Sequence, residues 1–204
     1  MYKTKKNLRS LAWLAAGLFL LATGAAEAAQ RHMRITGRTS QPIGHYEYCK
    51  IYTTDCAIVS SNTRPVALTR ARWAELVAVN DKVNRQVQPV TDLEYYGREE
   101  FWTYPDRYGD CEDYVLLKRS LLMQRGWPAS SLLITVVRQA NGEGHAVLTV
   151  RTDQADYVLD NLNGRIVVWN DTEYRFLKRQ AARNSGIWEG IDDARATLVG
   201  SIRR

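Results

Sequence analysis

Apolar residues recur at helical spacing in the stretch that follows Thr69. They share one face of a helix: Trp73, Leu76, Val77, Val83 and Val87. Thr69 is a suitable N-cap, and Pro89 ends the pattern because proline cannot continue a helix. The pattern therefore predicts a helix from about residue 70 to residue 87 that packs this face on a core.

A second helix is predicted over residues 110–125. Its apolar face contains Val115, Leu116, Leu121 and Leu122. Asp110 is a candidate N-cap, and Asp113 follows three residues later, as in a capping box. Gly126 and Pro128 come next, which is typical of a helix C-terminus.

The residues between these two helices, 90–110, are predicted to form a loop. Gly97, Pro105 and Gly109 interrupt any regular pattern there. The loop is rich in aromatic residues: Tyr95, Tyr96, Phe101, Trp102, Tyr104 and Tyr108. Such residues either line a binding cleft or cover a core, and the sequence leaves both interpretations open.

Beyond residue 131 the pattern changes to that of strands. β-Branched and alternating apolar residues predict strands over 132–137, 145–151, 156–160 and 166–169. Asn141-Gly142 and Asn163-Gly164 are turn signals between them. Helices followed by an antiparallel meander predict the α+β class, with the helices packed on the sheet. Residues 171–204 are expected to add a strand around 174–177 and a terminal helical segment.

The N-terminus has the pattern of a secretory signal peptide. A basic start precedes a short apolar run at residues 11–22, and Ala26 and Ala28 form an A-x-A cleavage site. The alternative is an uncleaved anchor, but the run is shorter than the roughly 20 residues that a span needs. We therefore expect a signal peptide at 1–28, export to the periplasm and no stable membrane insertion after cleavage. An extension at 29–66 and a main domain at 67–204 would follow.

The composition is that of a folded globular protein, with 45% hydrophobic and 25% charged residues among 204. The formal net charge is +6. Four cations and Glu27 give the predicted leader half of that charge. The rest of the chain has no dense basic stripe, so a nucleic-acid partner is not expected.

Three cysteines remain after the predicted cleavage. In an exported protein, Cys49 and Cys56 are expected to form a local disulfide. Cys111 is then an odd thiol at the start of a predicted helix, where the helix dipole favours a thiolate. The alternative is that Cys111 is a small buried apolar residue.

Two further residues can complete a catalytic arrangement with Cys111. His145 begins the second predicted strand, and Asp160 ends the third. A thiol, an imidazole and a carboxylate in this order can serve as nucleophile, base and orienting group. Each residue alone also has an ordinary explanation, namely a packed thiol, a strand histidine and a turn aspartate.

The acidic neighbours of Cys111 oppose thiolate formation. Asp110, Glu112 and Asp113 surround it in sequence, and nearby carboxylates raise the pKa of a thiol. A bound hard cation such as calcium would offset their charge. The alternative is the capping box, which explains Asp110 and Asp113 but not Glu112.

Several stretches together resemble the bacterial transglutaminase-like cysteine proteinase family. They are Trp73-x-x-Leu76-x-x-Val79-Asn80, Phe101-Trp-x-x-Pro105-x-x-x-Gly109-Asp-Cys-Glu-Asp-Tyr114, Gly144-His145-Ala-Val147, Tyr157-Val-Leu-Asp160-Asn161 and Tyr174-x-Phe176-x-x-Arg179-Gln180. The resemblance covers roughly residues 67–180. The extension that carries Cys49 and Cys56 lies outside it.

The resemblance implies a papain-like, transglutaminase-like fold and a triad of Cys111, His145 and Asp160. In members of the LapG type, acidic residues beside the nucleophile bind calcium. The matching positions here are Asp110 and Glu112, with Asp113 as a third candidate ligand. The relation to transglutaminases also suggests Trp102 as an oxyanion donor, beside the backbone N–H of Cys111.

The resemblance further implies a periplasmic cysteine endopeptidase. LapG-type members cut large surface adhesins near a di-alanine site and so release biofilm cells. An inner-membrane receptor for cyclic di-GMP sequesters them. Two alternatives remain open from sequence, namely acyl transfer to an amine by a transglutaminase or amidase, and a binding module without catalysis.

Overall fold

A seven-stranded antiparallel sheet with helices on one face forms the centre of the computed structural model, which describes residues 31–195. The elements in chain order are β1 (Arg34–Thr39), α1 (Ile43–Ile51), α2 (Thr53–Cys56), α3 (Arg70–Gln86), β2 (Gln88–Pro89), α4 (Asp92–Tyr96), β3 (Tyr108–Gly109), α5 (Cys111–Gln124), β4 (Leu132–Arg138), β5 (Gly144–Arg151), β6 (Asp156–Leu159), β7 (Val167–Val168), β8 (Arg175–Ala181) and β9 (Asn184–Asp192). This is the predicted α+β class, with a transglutaminase-like core.

The predicted meander is present as four consecutive strands. β4, β5, β6 and β7 lie side by side, and the pairing of Val137 with His145 and of Leu148 with Leu159 sets their register. β8 pairs with β4 on the other side, followed by β9 and β1. Strand β9 was not predicted. The expected terminal helical segment and the signal peptide fall outside the described residues.

Helix α3 forms as its apolar pattern predicts. The Thr69 hydroxyl accepts a hydrogen bond from the backbone N–H of Arg72 at 3.2 Å, which is the N-cap contact. Leu76, Val79 and Val83 are fully buried on its inner face. They pack in the larger core cluster with residues of α5 and β5, such as Leu116 and Leu148.

Helix α5 also forms, but the capping box predicted at its start is wrong. Asp110 holds the N-cap position without a side-chain bond to the helix. Its Oδ2 instead accepts from the backbone N–H of Asp92 at 3.3 Å, and Asp113 Oδ1 accepts from the N–H of Thr103 at 2.9 Å. The helix ends at Gly126 with φ +82°, as its sequence predicts.

The N-terminal segment, predicted only as an extension, contains one strand and two helices. β1 pairs with β9, so residues 34–39 are the edge of the main sheet. Helices α1 and α2 follow, and the expected disulfide joins Cys49 to Cys56. Gly44 allows α1 to approach the loop before α5, because a Cβ there would overlap the indole ring of Trp102. The domain boundary placed at 66/67 stays a prediction.

The loop over residues 90–110 contains the short helix α4 and strand β3, which pairs in parallel with β2 just before the loop. Its aromatic side chains pack on each other and on the core. Tyr96 contacts Phe101, Tyr95 contacts Tyr108, and Trp102 is buried. Within residues 31–195, every helix is too short or too polar to cross a lipid bilayer.

Candidate active site

Three elements bring Cys111, His145 and Asp160 to one end of the sheet. Cys111 is the first residue of α5, His145 is the second residue of β5, and Asp160 directly follows β6. β5 and β6 are neighbours in the sheet. Helix α5 packs against β5, so the chain order predicted from sequence becomes a spatial group.

A buried hydrogen bond joins His145 to Asp160. Nε2 of His145 lies 2.8 Å from Oδ1 of Asp160, and both side chains are 3% exposed. A carboxylate accepts only, so the bond places a proton on Nε2 and leaves Nδ1 of neutral His145 as an acceptor. The pair therefore has the orientation that a base and its orienting carboxylate require.

Asp160 is held as an anion by several donors. The Tyr174 hydroxyl donates to Oδ2 at 2.6 Å, and the backbone N–H of Leu162 donates to Oδ1 at 3.1 Å. Burial alone would raise the pKa of Asp160, but the hydrogen bonds from His145 and Tyr174 hold it below its usual value.

Cys111 carries a free thiol against the start of β5. The backbone N–H of Ala146, next to His145, points to its sulfur. Cys111 and His145 also line one open cleft of about 400 Å³, with walls that include Val90, Glu94 and Leu162. The thiol and the imidazole are therefore accessible from the same side.

The state of the thiol depends on its acidic neighbours. Burial, the charge of Glu112 and that of Asp110 raise the pKa of Cys111 well above its usual value. The Cys111 thiol donates to Glu112 Oε2 at 3.0 Å. With these carboxylates uncompensated, the structure favours the protonated and less reactive form.

An acidic cluster lies beside the start of α5. One carboxylate oxygen from each of Asp92, Asp110 and Asp113 lies within 4.8 Å of the others. Burial raises the pKa of Asp113 to about 8 and that of Asp92 to about 6, and the charge of Asp110 adds to both shifts. Three crowded carboxylates are unfavourable as anions unless a cation is present.

The carboxylates of this cluster are arranged as a set of oxygen ligands. One oxygen of each accepts a backbone N–H, with Phe101 donating to Asp92 and Thr103 to Asp113. The other oxygens, Asp92 Oδ1, Asp110 Oδ1 and Asp113 Oδ2, are buried without a hydrogen-bond partner. Unpaired buried oxygens of hard, anionic ligands fit a calcium ion.

The structure separates the three acidic residues that the sequence grouped. Asp110 and Asp113 lie in the cluster with Asp92, which sequence analysis missed. Glu112 turns to the Cys111 thiol and forms a second group with Asp110 and Cys111. Asp110 joins the two groups. Thr91 and Asp92 carried only the signal of a helix start, 18 residues before Asp110.

The structure does not bring Trp102 to the cleft. Its indole N–H donates to Glu100 Oε2 at 3.0 Å, and the side chain is 4% exposed within the larger core cluster. The backbone N–H of Cys111 remains the natural oxyanion donor, because the first N–H groups of a helix have no partner within it.

Comparison with known proteins gives one family and one group of structures. A model of the bacterial transglutaminase-like cysteine proteinase family matches residues 35–196. The calcium-bound LapG structure from Legionella pneumophila is 25% identical, with a TM-score of 0.50 over 57% of this chain and 68% of that one. The EGTA-treated form is 24% identical, with a TM-score of 0.49 over 61% and 73%. No curated protein matches the chain.

Proposed function

The chain belongs to the bacterial transglutaminase-like cysteine proteinase family, and we propose that this cysteine protease works through a triad of Cys111, His145 and Asp160. The observation that carries the proposal is the buried 2.8 Å bond between His145 and Asp160, beside a free thiol in the same cleft. A packed thiol with no catalytic role does not require an imidazole oriented in this way.

In the proposed reaction, the Cys111 thiolate attacks the carbonyl carbon of the scissile peptide bond. His145, protonated at Nδ1 by the thiol, donates that proton to the departing amine. This gives a thioester on Cys111 and a new N-terminus. Water then attacks the thioester, with Nδ1 taking its proton, and the thiol is restored as a carboxylate product leaves. Asp160 keeps the imidazole aligned throughout.

A calcium ion is the second part of the proposal. Asp92, Asp110 and Asp113 would hold it through their unpaired oxygens, and Glu112 can reach it from the thiol side through the group that it shares with Asp110. The LapG protein of Legionella pneumophila, which this chain resembles in structure, has a calcium-bound form. When bound, the cation would supply positive charge that offsets the carboxylates around Cys111.

The substrate and the location are inferred from sequence. The predicted signal peptide supports a periplasmic enzyme. The family resemblance supports a surface adhesin as substrate, cut near a di-alanine site, and a cyclic di-GMP receptor as a regulatory partner. The cleft beside Cys111 is open to solvent, as access by a protein substrate requires.

The test uses residues 29–204 with an adhesin N-terminal fragment that carries a di-alanine site. Mass spectrometry would read the products with calcium and with chelator, for the native protein and for Cys111→Ala. We expect calcium-dependent scission with addition of one water, lost in the variant. Loss of ammonia with an intact chain would instead identify acyl transfer to an amine. An unchanged fragment would contradict the proposed substrate.

The calcium ligands have their own control. Asp92→Asn should abolish the calcium requirement or the activity itself, whereas Asp81→Asn should behave like the native protein. Asp81 lies on the outer part of α3 with a half-exposed carboxylate and only a 4.0 Å contact to Arg85. Equal calcium dependence in both variants would exclude Asp92 as a ligand.

A further inference from the structure

Tyr174 contacts a residue at the end of a strand that is not a neighbour of its own strand in the sheet. It lies directly before β8, yet its hydroxyl reaches Oδ2 of Asp160 at 2.6 Å. Its ring centroid is 5.4 Å from that of His145, with the planes tilted by 54°. One side chain therefore contacts two members of the proposed triad.

The bond to Oδ2 matters because Oδ1 alone cannot fix a carboxylate. Oδ1 accepts from His145 Nε2 and from the backbone N–H of Leu162. The terminal torsion of an aspartate is broad, so a carboxylate held on one side can rotate. A donor on Oδ2 fixes its plane and keeps Oδ1 directed at His145.

The phenol is also suited to act as a constant donor. Burial, the hydrogen bond to Asp160 and the charge of Asp160 all raise the pKa of Tyr174, so the hydroxyl keeps its proton. Asp160 is 3% exposed, so a missing donor on Oδ2 would leave a buried anion partly unsatisfied.

We propose that Tyr174 is a positioning residue of this protease, which orients the carboxylate of Asp160 and, through it, the imidazole of His145. The inference rests on the proposed triad. It adds a fourth side chain that contacts neither the substrate nor Cys111 in the reaction. Its effect should therefore appear in catalysis and in the state of His145, rather than in substrate binding.

Removal of the hydroxyl should leave the fold intact. Asp160 and Tyr174 both line a cavity of about 270 Å³ whose walls include neither Cys111 nor His145. Water from this cavity can occupy the position of the lost hydroxyl in Tyr174→Phe. A mobile water would satisfy Oδ2 but would not hold the plane of the carboxylate.

The test measures the rate at which iodoacetamide alkylates Cys111 at neutral pH with calcium present. We expect Tyr174→Phe to be about tenfold slower than the native protein. We also expect its downfield His145 Nε2–H proton resonance in NMR spectra to broaden or disappear. Tyr157→Phe is the matched control, since Tyr157 lies on β6, three residues before Asp160, but its ring packs on Trp73. It should keep the native rate and resonance.

A double-mutant cycle separates positioning from a general structural effect. If Tyr174 acts through Asp160, Tyr174→Phe should add little to the loss already caused by Asp160→Ala. An equal loss in both backgrounds, or a native rate and resonance in Tyr174→Phe, would overturn the inference. His145→Ala identifies failure of the triad itself, because a native alkylation rate in that variant would reject the proposed mechanism as a whole.

Discussion

At the scale of single residues, the reactivity of Cys111 depends on its burial and on the two carboxylates beside it. Burial raises the pKa of the thiol first, Glu112 accepts a hydrogen bond from the sulfur at 3.0 Å, and the charge of Asp110 adds to the shift. A cation near Asp110 would reduce the cost of a third anion on the sulfur. Under the proposed function, the acidic residues around Cys111, which oppose thiolate formation in isolation, would be the means by which calcium controls its reactivity.

Chelation should therefore slow the alkylation of Cys111. We expect EGTA to lower the rate with iodoacetamide at pH 7.5 by about tenfold or more, since one unit of thiol pKa changes the thiolate fraction tenfold. Glu112→Gln, which removes the carboxyl group that accepts from the thiol, should lose most of this response. A rate that stays constant while metal analysis shows calcium leaving would contradict the electrostatic explanation.

Lys118 gives a second prediction at this scale. Its side chain is fully buried on α5, and Nζ has no hydrogen-bond partner. Burial lowers its pKa to about 7, partly opposed by the charge of Asp160. Between this value and the ordinary pKa of about 10.4, the unfolded chain binds a proton that the folded protein has released, so stability should rise with pH.

Lys118→Met should remove both the free-energy cost of burying the Lys118 amine and the pH dependence of stability that it causes. We expect the free energy of unfolding at pH 7 to rise by about 3 kcal/mol, with a smaller gain at pH 10. Urea denaturation at the two pH values would measure it, with the exposed Lys82→Met on α3 as control. A loss of stability at pH 7 would contradict this prediction, because it would mean that the Lys118 ammonium makes a favourable interaction in the folded protein.

At the scale of elements, the loop before α5 connects the disulfide segment to the acidic cluster. On one side, Asp55 of α2 accepts from the hydroxyl of Tyr104 at 2.5 Å, and Tyr52 contacts Thr103 at 3.1 Å. On the other side, the backbone of Phe101 and Thr103 donates to Asp92 and Asp113. The disulfide between α1 and α2 thus supports the residues that hold the carboxylates.

Loss of the disulfide should weaken calcium binding. In Cys49→Ser/Cys56→Ser, the segment gains conformational freedom, and the loop must be ordered at the expense of binding. We expect a several-fold higher dissociation constant by calorimetry, with circular dichroism unchanged for the sheet. Lys50→Ala, on the exposed side of α1, should bind calcium as the native protein does. If the double cysteine variant and Lys50→Ala bound calcium with equal affinity, the disulfide would have no effect on the acidic cluster.

The elements that sequence predicted correctly are those with local signals. Helix α3 has an apolar stripe and a capping threonine, and the meander has alternating residues with Asn-Gly turns. Strand β9 has neither, because Gly186, Gly190 and charged residues interrupt Asn184–Asp192. Its structure comes from pairing with two strands. β8 precedes it across a short turn, whereas β1 lies at the other end of the described residues. No local sequence pattern predicts the pairing of β9 with the distant strand β1.

The residues of the candidate site also fall into those that the sequence predicted and those that it did not. The order of thiol, imidazole and carboxylate is visible in sequence, since each residue begins or ends a recognisable element. The contacts of Asp92 and Tyr174 are not, because each side chain reaches the site from another element, although Tyr174 lies in a stretch that carries the family resemblance. The capping box is absent because the backbone of residues 92–103 donates to Asp110 and Asp113 instead.

At the scale of the whole molecule, the acidic cluster joins parts of the chain that the sheet does not hold together. Asp92 belongs to α4, whereas Asp110 and Asp113 belong to the start of α5. Without a cation, repulsion among buried carboxylates opposes this contact. With one, the same residues should tie the loop to the catalytic helix, so stability and activity should both depend on calcium.

Thermal unfolding with and without calcium tests this dependence. Calcium at about a hundred times its dissociation constant should add about 2.7 kcal/mol, which corresponds to a rise in Tm of roughly 5–10 °C. Asp92→Asn should raise the Tm of the calcium-free protein, because the amide can donate to a neighbouring carboxylate instead of repelling it. The same variant should lose the rise on adding calcium. A variant that is less stable without calcium would show that Asp92 supports the fold as an anion, and the cluster would then not be a cation site.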